Sequence, residues 1–266
     1  MLKDITIGQF FPGNSIIHRL DPRFKIIITA VFITFLFCAD TFAGILVGML
    51  FVSLTVMLSK IPVKMIFKGM KSIVPLIIFT SVLNIFFIEG EIVFHWQFIK
   101  ITKEGLEMSA FMVLRIICLI SGTSLLTYTT SPITLTDAIE QLLAPLKKIK
   151  VPVHEFAMMM TIALRFIPTL IEETDKIMSA QKARGADLET GGLMKRAKAL
   201  VPILIPLFVS AFRRAEELAV AMECRCYRGD EGRTRLKQLK SGGKDYVALA
   251  VSLLFFDAVI FLNCIS

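Results

Sequence analysis

The sequence predicts an all-α polytopic membrane protein with about five transmembrane helices and further helices in the cytoplasm. Hydrophobic residues make up 55% of the 266 residues, charged residues only 20%, and the mean hydropathy is +0.70. Soluble domains are about 45–50% apolar and about 25% charged. Long apolar segments recur along the chain, and basic residues are unevenly distributed between them. This composition excludes a soluble enzyme, a disordered chain and a collagen-like protein.

Five apolar segments are candidates to cross a bilayer. A hydrocarbon core of about 30 Å requires roughly 20 apolar residues in a helix. The segments lie at residues 24–38, 42–58, 73–88, about 106–128 and 246–265. Asp21 and Pro22 mark the beginning of the first, because Asp is a favoured N-cap residue and Pro fits the first helical turn. We therefore predict five transmembrane helices, with the first two joined in a tight hairpin.

The distribution of basic residues predicts which loops face the cytoplasm. Residues 59–72 carry four lysines and no acidic residue, whereas residues 89–105 carry two lysines and three glutamates. Because short cytoplasmic loops are enriched in Lys and Arg, we expect a multi-pass protein of the cell membrane with a cytoplasmic N-terminus and an external C-terminus. The predicted regions are a membrane region with four spans at 1–130, a cytoplasmic region at 131–244, and a C-terminal transmembrane helix at 245–266.

The net charge and the cysteine content agree with this topology. The net charge is +8, and the five cysteines form no recognisable disulfide framework. In a membrane protein, an excess of Lys and Arg indicates cytoplasmic loops near anionic lipids rather than nucleic-acid binding. The lipid bilayer is therefore an expected partner, and no nucleic acid is expected.

The cytoplasmic region contains a short amphipathic helix, predicted at 132–150, followed by two long helices that resemble each other. Each long helix has an apolar half and then a charged half, at 156–171 and 172–181 in the first and at 199–212 and 213–223 in the second. Apolar halves of about 14–16 residues are short for a span, which favours helices at the membrane boundary or buried under other helices. Pro168, Pro202 and Pro206 lie within these halves and predict kinks.

Each long helix ends in an arginine between two small residues, 13 residues after the last apolar position (171 to 184 and 212 to 225). The candidate binding residues are Ala183, Arg184 and Gly185 at the first end, and Cys224, Arg225 and Cys226 at the second. Small neighbours leave a planar guanidinium with five donors accessible to a partner's pocket. Two such ends fit a partner with two similar halves. The alternative is that each arginine only caps its helix, and the pattern alone does not decide between the two.

Catalytic and metal-binding motifs are missing from the sequence. It contains no G-x-x-x-x-G-K-[ST] phosphate loop, and His154-Glu155 lacks the second histidine of a zinc protease. Cys224 and Cys226 would need two further ligands to hold zinc. We therefore predict no metal, no cofactor and no enzymatic activity. Arg115 lies deep in the fourth span, where a charge is costly, and we favour an interhelical hydrogen bond over a direct function for it.

Three stretches resemble the transmembrane T component of energy-coupling factor (ECF) transporters, which are importers of the ABC superfamily. They are GQFFPGNS with LDPRFK at 8–25, LRFIP through ARGAD at 164–187, and MECRCYRG at 222–229, and the resemblance extends over essentially the whole chain. It implies that Arg184 and Arg225 belong to X-Arg-X motifs, which end two coupling helices and dock into two cytoplasmic ABC-type ATPase subunits. It also implies a membrane-embedded S component that binds the solute. The second motif departs from the commoner Ala-Arg-Gly, because Cys flanks its arginine on both sides.

The resemblance implies a non-catalytic coupling subunit of an importer for a vitamin or another micronutrient, with ATP hydrolysis in the partner subunits. The missing phosphate loop and the few polar residues in the spans agree with this function, because nucleotide and solute would both bind elsewhere. A membrane enzyme acting on lipid-linked substrates and a stand-alone carrier are the alternatives. The enzyme would need clustered carboxylates or histidines at headgroup depth, and the carrier would need a polar path through the spans.

Overall fold

A computed structural model describes residues 10–96, 99–186, 192–229 and 239–265. Apart from one short hairpin, the secondary structure in these ranges is helical, which confirms the predicted fold class. The helices are α1 (Pro22–Cys38), α2 (Phe42–Ser59), α3 (Val63–Lys71), α4 (Val74–Phe87), α5 (Lys103–Thr129), α6 (Pro132–Leu143), α7 (Val153–Ala183), α8 (Leu193–Glu223) and α9 (Gly243–Ile265). The antiparallel strands β1 (Ile92–Trp96) and β2 (Ile99–Thr102) lie between α4 and α5, and a 3₁₀ helix (Ala144–Ile149) follows α6.

Several helices have the length and composition of membrane spans. Within the described ranges, α2, α5 and α7 could each cross a membrane, and α3 together with α4 would add a fourth, broken span with a bend of 64°. The predicted segments at 42–58 and 106–128 correspond to α2 and α5, within a few residues at each end. The chain is therefore a polytopic membrane protein.

The first and last predicted spans are not among these helices, whereas one helix predicted in the cytoplasm is. α1 has 17 residues, about 26 Å at 1.5 Å per residue, slightly less than the hydrocarbon core. In the part of α9 whose side chains the structure describes, three residues are charged: Lys244, Asp245 and Asp257. Charged residues are costly within a membrane span. α7 qualifies because its 31 residues include a stretch of 18 that is apolar enough to cross a membrane. The side of the membrane on which each terminus lies stays a prediction.

The amphipathic helix expected over 132–150 is shorter in the structure. It is α-helical only as far as Leu143, and a 3₁₀ helix continues to Ile149. Pro145 has no backbone N–H with which to continue the α-helical ladder, and short 3₁₀ segments are common at helix ends. Lys150 then closes the segment with a left-handed backbone at φ 63°.

The lysine-rich loop after α2 folds into a helix that the sequence analysis did not predict. α3 places Ile66 in a small core with Ile61, Leu125 and Tyr128, and the Tyr128 hydroxyl donates to the carbonyl of Met65 at 3.3 Å. Its lysines Lys64 and Lys68 are exposed. The apolar face of a nine-residue helix was hidden from the sequence analysis because the lysines dominate the composition of this loop.

The described residues form two compact units: the bundle unit (residues 10–138 with 239–265) and the two-helix unit (residues 139–186 with 192–229). In the bundle unit, α1 and α2 each pack against α5 and α9. Their shared core includes Phe32, Leu36, Cys118, Phe256 and Val259. These side chains come from α1, α5 and α9, so the C-terminal helix is an integral part of the bundle.

A buried polar cluster joins the beginnings of α1 and α9. Asp21 is the N-cap of α1, as predicted, and accepts hydrogen bonds from the backbone and the guanidinium of Arg23, the shortest at 2.5 Å. The Asp245 carboxylate accepts the N–H of Asp21 at 2.8 Å and that of Gly242 at 2.7 Å. Burial raises the pKa of Asp21, but the hydrogen bonds from Arg23 outweigh this effect and hold that pKa below its ordinary value. Asp21 is therefore ionised at neutral pH.

Lys25 connects the same region to the end of α5. Its side chain is buried, and Nζ donates to the carbonyls of Thr129 and His18 at 3.0 and 3.3 Å and to the Thr130 hydroxyl at 3.3 Å. A buried ammonium is tolerated only when its donors are satisfied. Lys25 therefore fixes the last residue of α5 against α1.

Arg115 forms the interhelical hydrogen bond that the sequence analysis favours. Its guanidinium donates to the carbonyl of Ala39 at 2.5 Å and lies 4.6 Å from the centre of the Phe111 ring. Ala39 follows the last residue of α1 and is fully buried. The charge in the fourth span thus satisfies a helix C-terminus inside the bundle unit.

The polar cluster predicts a specific loss of stability. Replacing Asp245 with Ala leaves two backbone N–H groups, one of them on the buried Asp21, without their acceptor. An unsatisfied buried donor costs about 1–3 kcal/mol, so we expect Asp245→Ala to lower the midpoint of thermal unfolding of the purified chain in detergent. The matched control is Asp257→Ala on the same helix, because Asp257 is exposed. Equal effects of the two substitutions would contradict the proposed role of the cluster.

Candidate functional site

The two arginine-tipped helices form an antiparallel pair in the two-helix unit. In the second half of each helix, the Arg214 guanidinium donates to the Glu173 carboxylate at 2.7 Å. Near the end of α7, the side-chain amide of Gln181 donates to the carbonyl of Pro202, in the first half of α8, at 3.4 Å. As residue numbers rise along α7, their contacts on α8 therefore fall.

This direction places the two arginines at opposite ends of the pair. Arg184 lies only three residues beyond Gln181, whereas Arg225 lies 23 residues (225 − 202) beyond Pro202 along α8. At 1.5 Å per helical residue, this separates the two ends by roughly 35 Å. Close to the Arg225 end, the Tyr227 hydroxyl contacts the Met158 sulfur, from the beginning of α7, at 3.0 Å.

The end of α7 is closed by its own backbone. Arg184 is the C-cap residue, and Gly185 follows with a left-handed φ of 85°. The N–H of Gly185 donates to the carbonyl of Lys182 at 3.0 Å, and that of Ala186 donates to the carbonyl of Gln181 at 3.0 Å. These two bonds define a Schellman motif, in which Gly is favoured at the left-handed position.

The end of α8 repeats this geometry with a different residue at the critical position. The N–H of Cys226 donates to the carbonyl of Glu223 at 2.8 Å, and that of Tyr227 donates to the carbonyl of Met222 at 3.0 Å. Arg225 occupies the place of Arg184, and Cys226, with φ 55°, occupies the place of Gly185. The second motif thus reaches the same backbone conformation without glycine, at a cost of roughly 1–2 kcal/mol for a left-handed non-glycine residue.

Backbone capping leaves both guanidinium groups available. Arg184 and Arg225 are exposed, as are the residues on either side of each. Neither guanidinium forms a hydrogen bond or an ion pair with any residue in the part of the chain that the structure describes. Neither arginine side chain therefore hydrogen-bonds the carbonyls at the end of its own helix, although Arg184 occupies the C-cap position through its backbone. That the two arginines bind a partner stays a prediction.

The flanking cysteines add small, exposed side chains to the second end. Cys224 and Cys226 are both free thiols. Among the described residues, no group of three or more His, Cys, Asp and Glu side chains is placed to hold a metal ion.

Two contacts in the two-helix unit were not predicted from the sequence. Glu173 and Arg214 lie in the charged halves of the long helices, but only the antiparallel register shows that they face each other. His154, at the beginning of α7, lies 2.9 Å from the Glu140 carboxylate of α6.

Pro168, Pro202 and Pro206 are located within continuous helices, so they do not end α7 or α8.

Comparisons with known proteins show to which family the chain belongs. A family model described as "Cobalt transport protein" matches residues 13–236. A protein of Ruminiclostridium cellulolyticum is 55% identical over 99% of this chain and 98% of its own length. A protein of Clostridium kluyveri is 58% identical over 95% and 94%, and one of Bacillus subtilis is 50% identical over 98% and 98%. All three are named "Energy-coupling factor transporter transmembrane protein EcfT". The chain therefore belongs to the EcfT family of energy-coupling factor transporter transmembrane proteins.

Proposed function

We propose that this chain is the coupling subunit of an ECF-type importer, and that it links two cytoplasmic ABC-type ATPase subunits to a membrane-embedded S component. Arg184 and Arg225 dock into one ATPase subunit each. The S component binds the solute, a vitamin or another micronutrient, and the ATPase subunits hydrolyse ATP. In this arrangement the N-terminus and both arginine ends are cytoplasmic, and the C-terminus is external.

The observation that carries this proposal is the repeated geometry of the two helix ends. Each end presents an exposed arginine at the C-cap of a Schellman motif, flanked by small residues. A planar guanidinium with all its donors free suits a pocket lined with carboxylates and carbonyls. Two equivalent ends, roughly 35 Å apart, suit two equivalent pockets on a dimeric partner.

The contacts between α7 and α8 suit the transmission of a displacement. Each helix has 31 residues, about 46 Å at 1.5 Å per residue. The Arg214–Glu173 ion pair joins the two helices and is partly buried, with side chains 31% and 21% exposed. Closure of the two ATPase subunits would change the distance between their pockets, and the joined helices would carry this change along their length.

An apolar face on α8 supports a membrane-embedded partner. Leu204, Ile205, Phe208 and Phe212 are between 50% and 72% exposed. Large contiguous apolar surfaces mark contacts with lipid or with another protein. We propose that the S component covers part of this face, so that motion of α8 reaches the solute-binding subunit.

The docking role predicts that reversing both charges separates the chain from its ATPases. Arginines at interface centres typically contribute about 2 kcal/mol or more, roughly thirtyfold in affinity. We expect Arg184→Glu with Arg225→Glu to abolish co-purification of the ATPase pair from detergent-solubilised membranes. Each single change should weaken it less, and Arg→Lys should cause an intermediate loss because Lys lacks the planar fork.

The control for charge reversal is Arg213→Glu, an exposed arginine on α8 away from its end. It should leave co-purification unchanged, and all variants should insert into membranes at the same level. Undiminished recovery of the ATPases with the double variant would refute docking through these arginines. Equal loss with Arg213→Glu would instead indicate a general effect of charge.

The backbone geometry makes a separate prediction about the residues next to the arginines. Gly185→Ala places a Cβ at φ 85°, and because it would meet no atom within 4 Å, its cost is conformational. Cys226→Gly removes a comparable cost of roughly 1–2 kcal/mol. We expect the first change to speed amide hydrogen exchange at the end of α7 and to weaken ATPase binding, and the second to slow exchange at the end of α8.

The matched control is the same substitution two residues earlier. Cys224 has a right-handed backbone, with φ −59° and ψ −24°, so Cys224→Gly should loosen the helix end by up to about 1 kcal/mol. The two Cys→Gly substitutions should therefore act in opposite directions. Effects of the same sign would show that the left-handed conformation of Cys226 is not what sets the stability of this end.

A further inference from the structure

We propose that the bundle unit binds an anionic phospholipid, with one acyl chain in a cavity between α1, α2, α5 and α9 and the phosphate between Arg19 and Lys244. The cavity has a volume of about 660 Å³, within the range of roughly 300–1,000 Å³ typical of ligand sites. This inference does not depend on the docking role of Arg184 and Arg225.

The wall of the cavity suits a hydrocarbon chain. It is lined mainly by aliphatic and aromatic side chains, among them Phe32, Phe51, Leu125 and Val251. Such a surface gains from contact with an apolar ligand.

The few polar groups in the wall are already satisfied within the protein. The hydroxyls of Thr29, Thr55, Thr129 and Ser252 each donate to a carbonyl of their own helix, at 2.7–2.9 Å. The ammonium of Lys25 has its three acceptors on His18, Thr129 and Thr130. These side chains in the wall therefore have no free donor to offer a polar solute.

The mouth of the cavity has the opposite character. A smaller cavity of about 150 Å³ adjoins it, shares Ile16, Leu20 and Lys244 with it, and adds Asn14 and Arg19. Arg19 and Lys244 are exposed, and neither side chain has a hydrogen-bond or ion-pair partner among the described residues. Two free cations thus lie where an apolar cavity opens.

The acidic residues near this mouth do not neutralise it. Asp21 is paired with Arg23, and Asp245 accepts two backbone N–H groups. Both residues are buried, since Asp21 is 6% and Asp245 5% exposed. Arg19 and Lys244 therefore remain available to an external anion.

An anionic phospholipid has the chemistry that matches both parts. Its phosphate needs cations at the membrane surface, and its acyl chain needs an apolar channel directly below. Basic pockets between transmembrane helices are known to hold anionic headgroups. A helix of another protein would fill the apolar cavity without requiring the two cations, and a free phosphate would use the cations without requiring the cavity.

The test is native mass spectrometry of the full chain released from nanodiscs that contain equal amounts of phosphatidylglycerol and phosphatidylcholine with identical acyl chains. We expect phosphatidylglycerol to be retained preferentially. Arg19→Gln with Lys244→Gln should lower its occupancy about fivefold for each charge removed. The matched control, Lys64→Gln with Lys68→Gln, removes two exposed lysines from α3 and should leave retention unchanged.

A second pair of variants tests the acyl-chain cavity without touching the charges. Val251→Phe fills the cavity from an exposed position on α9, whereas Leu254→Phe enlarges an exposed residue on the same helix that does not line it. Only the first should reduce lipid retention. Equal retention of both lipids, equal effects of the two lysine-containing double variants, unchanged retention with Val251→Phe, or displacement of the lipid by inorganic phosphate would each overturn the proposal.

Discussion

The need to satisfy the backbone groups at helix ends governs this structure. The first N–H groups and the last carbonyls of a helix have no partner within it, and at membrane level little water is available to supply one. In the bundle unit, charged side chains fill this need: Asp21 and Asp245 accept N–H groups, while Lys25 and Arg115 donate to carbonyls. At the ends of α7 and α8, the backbone closes the helix by itself. In the bundle unit, charged side chains are thus used to satisfy helix ends, whereas the side chains of Arg184 and Arg225 are left free.

This difference explains which parts of the molecule could be predicted from the sequence. Apolar segments of sufficient length give helices wherever they occur, and the bounds of α2 and α5 followed directly. The N-cap at Asp21 and the hydrogen bond of Arg115 followed from the cost of leaving a charge or a helix end unsatisfied. α3 was missed because its single buried face depends on Leu125 and Tyr128, which are distant in the sequence. The hairpin of β1 and β2 was missed as well, since two short strands carry little signal of their own.

At the candidate site, residue identities could be predicted but their geometry could not. The repeated arginines were visible, whereas the roughly 35 Å between them depends on the antiparallel register of α7 and α8. That register rests on contacts such as Glu173 with Arg214, and helical charged segments can pair in either direction. The left-handed Cys226 was equally hidden, because a sequence pattern associates this conformation with Gly. Only the two bonds to Glu223 and Met222 reveal that Cys226 takes the role of Gly185.

The two ends are therefore alike in shape but unlike in their energetics. Gly185 enters the left-handed region at no steric cost, yet it retains the widest choice of alternative conformations. Cys226 is strained in that region, and its side chain restricts the alternatives open to the backbone beside Arg225. The end of α7 is thus the easier one to form, and the end of α8 reaches the same conformation only at the cost of that strain. In the proposed docking, the two ends therefore present the same arginine geometry at different conformational costs.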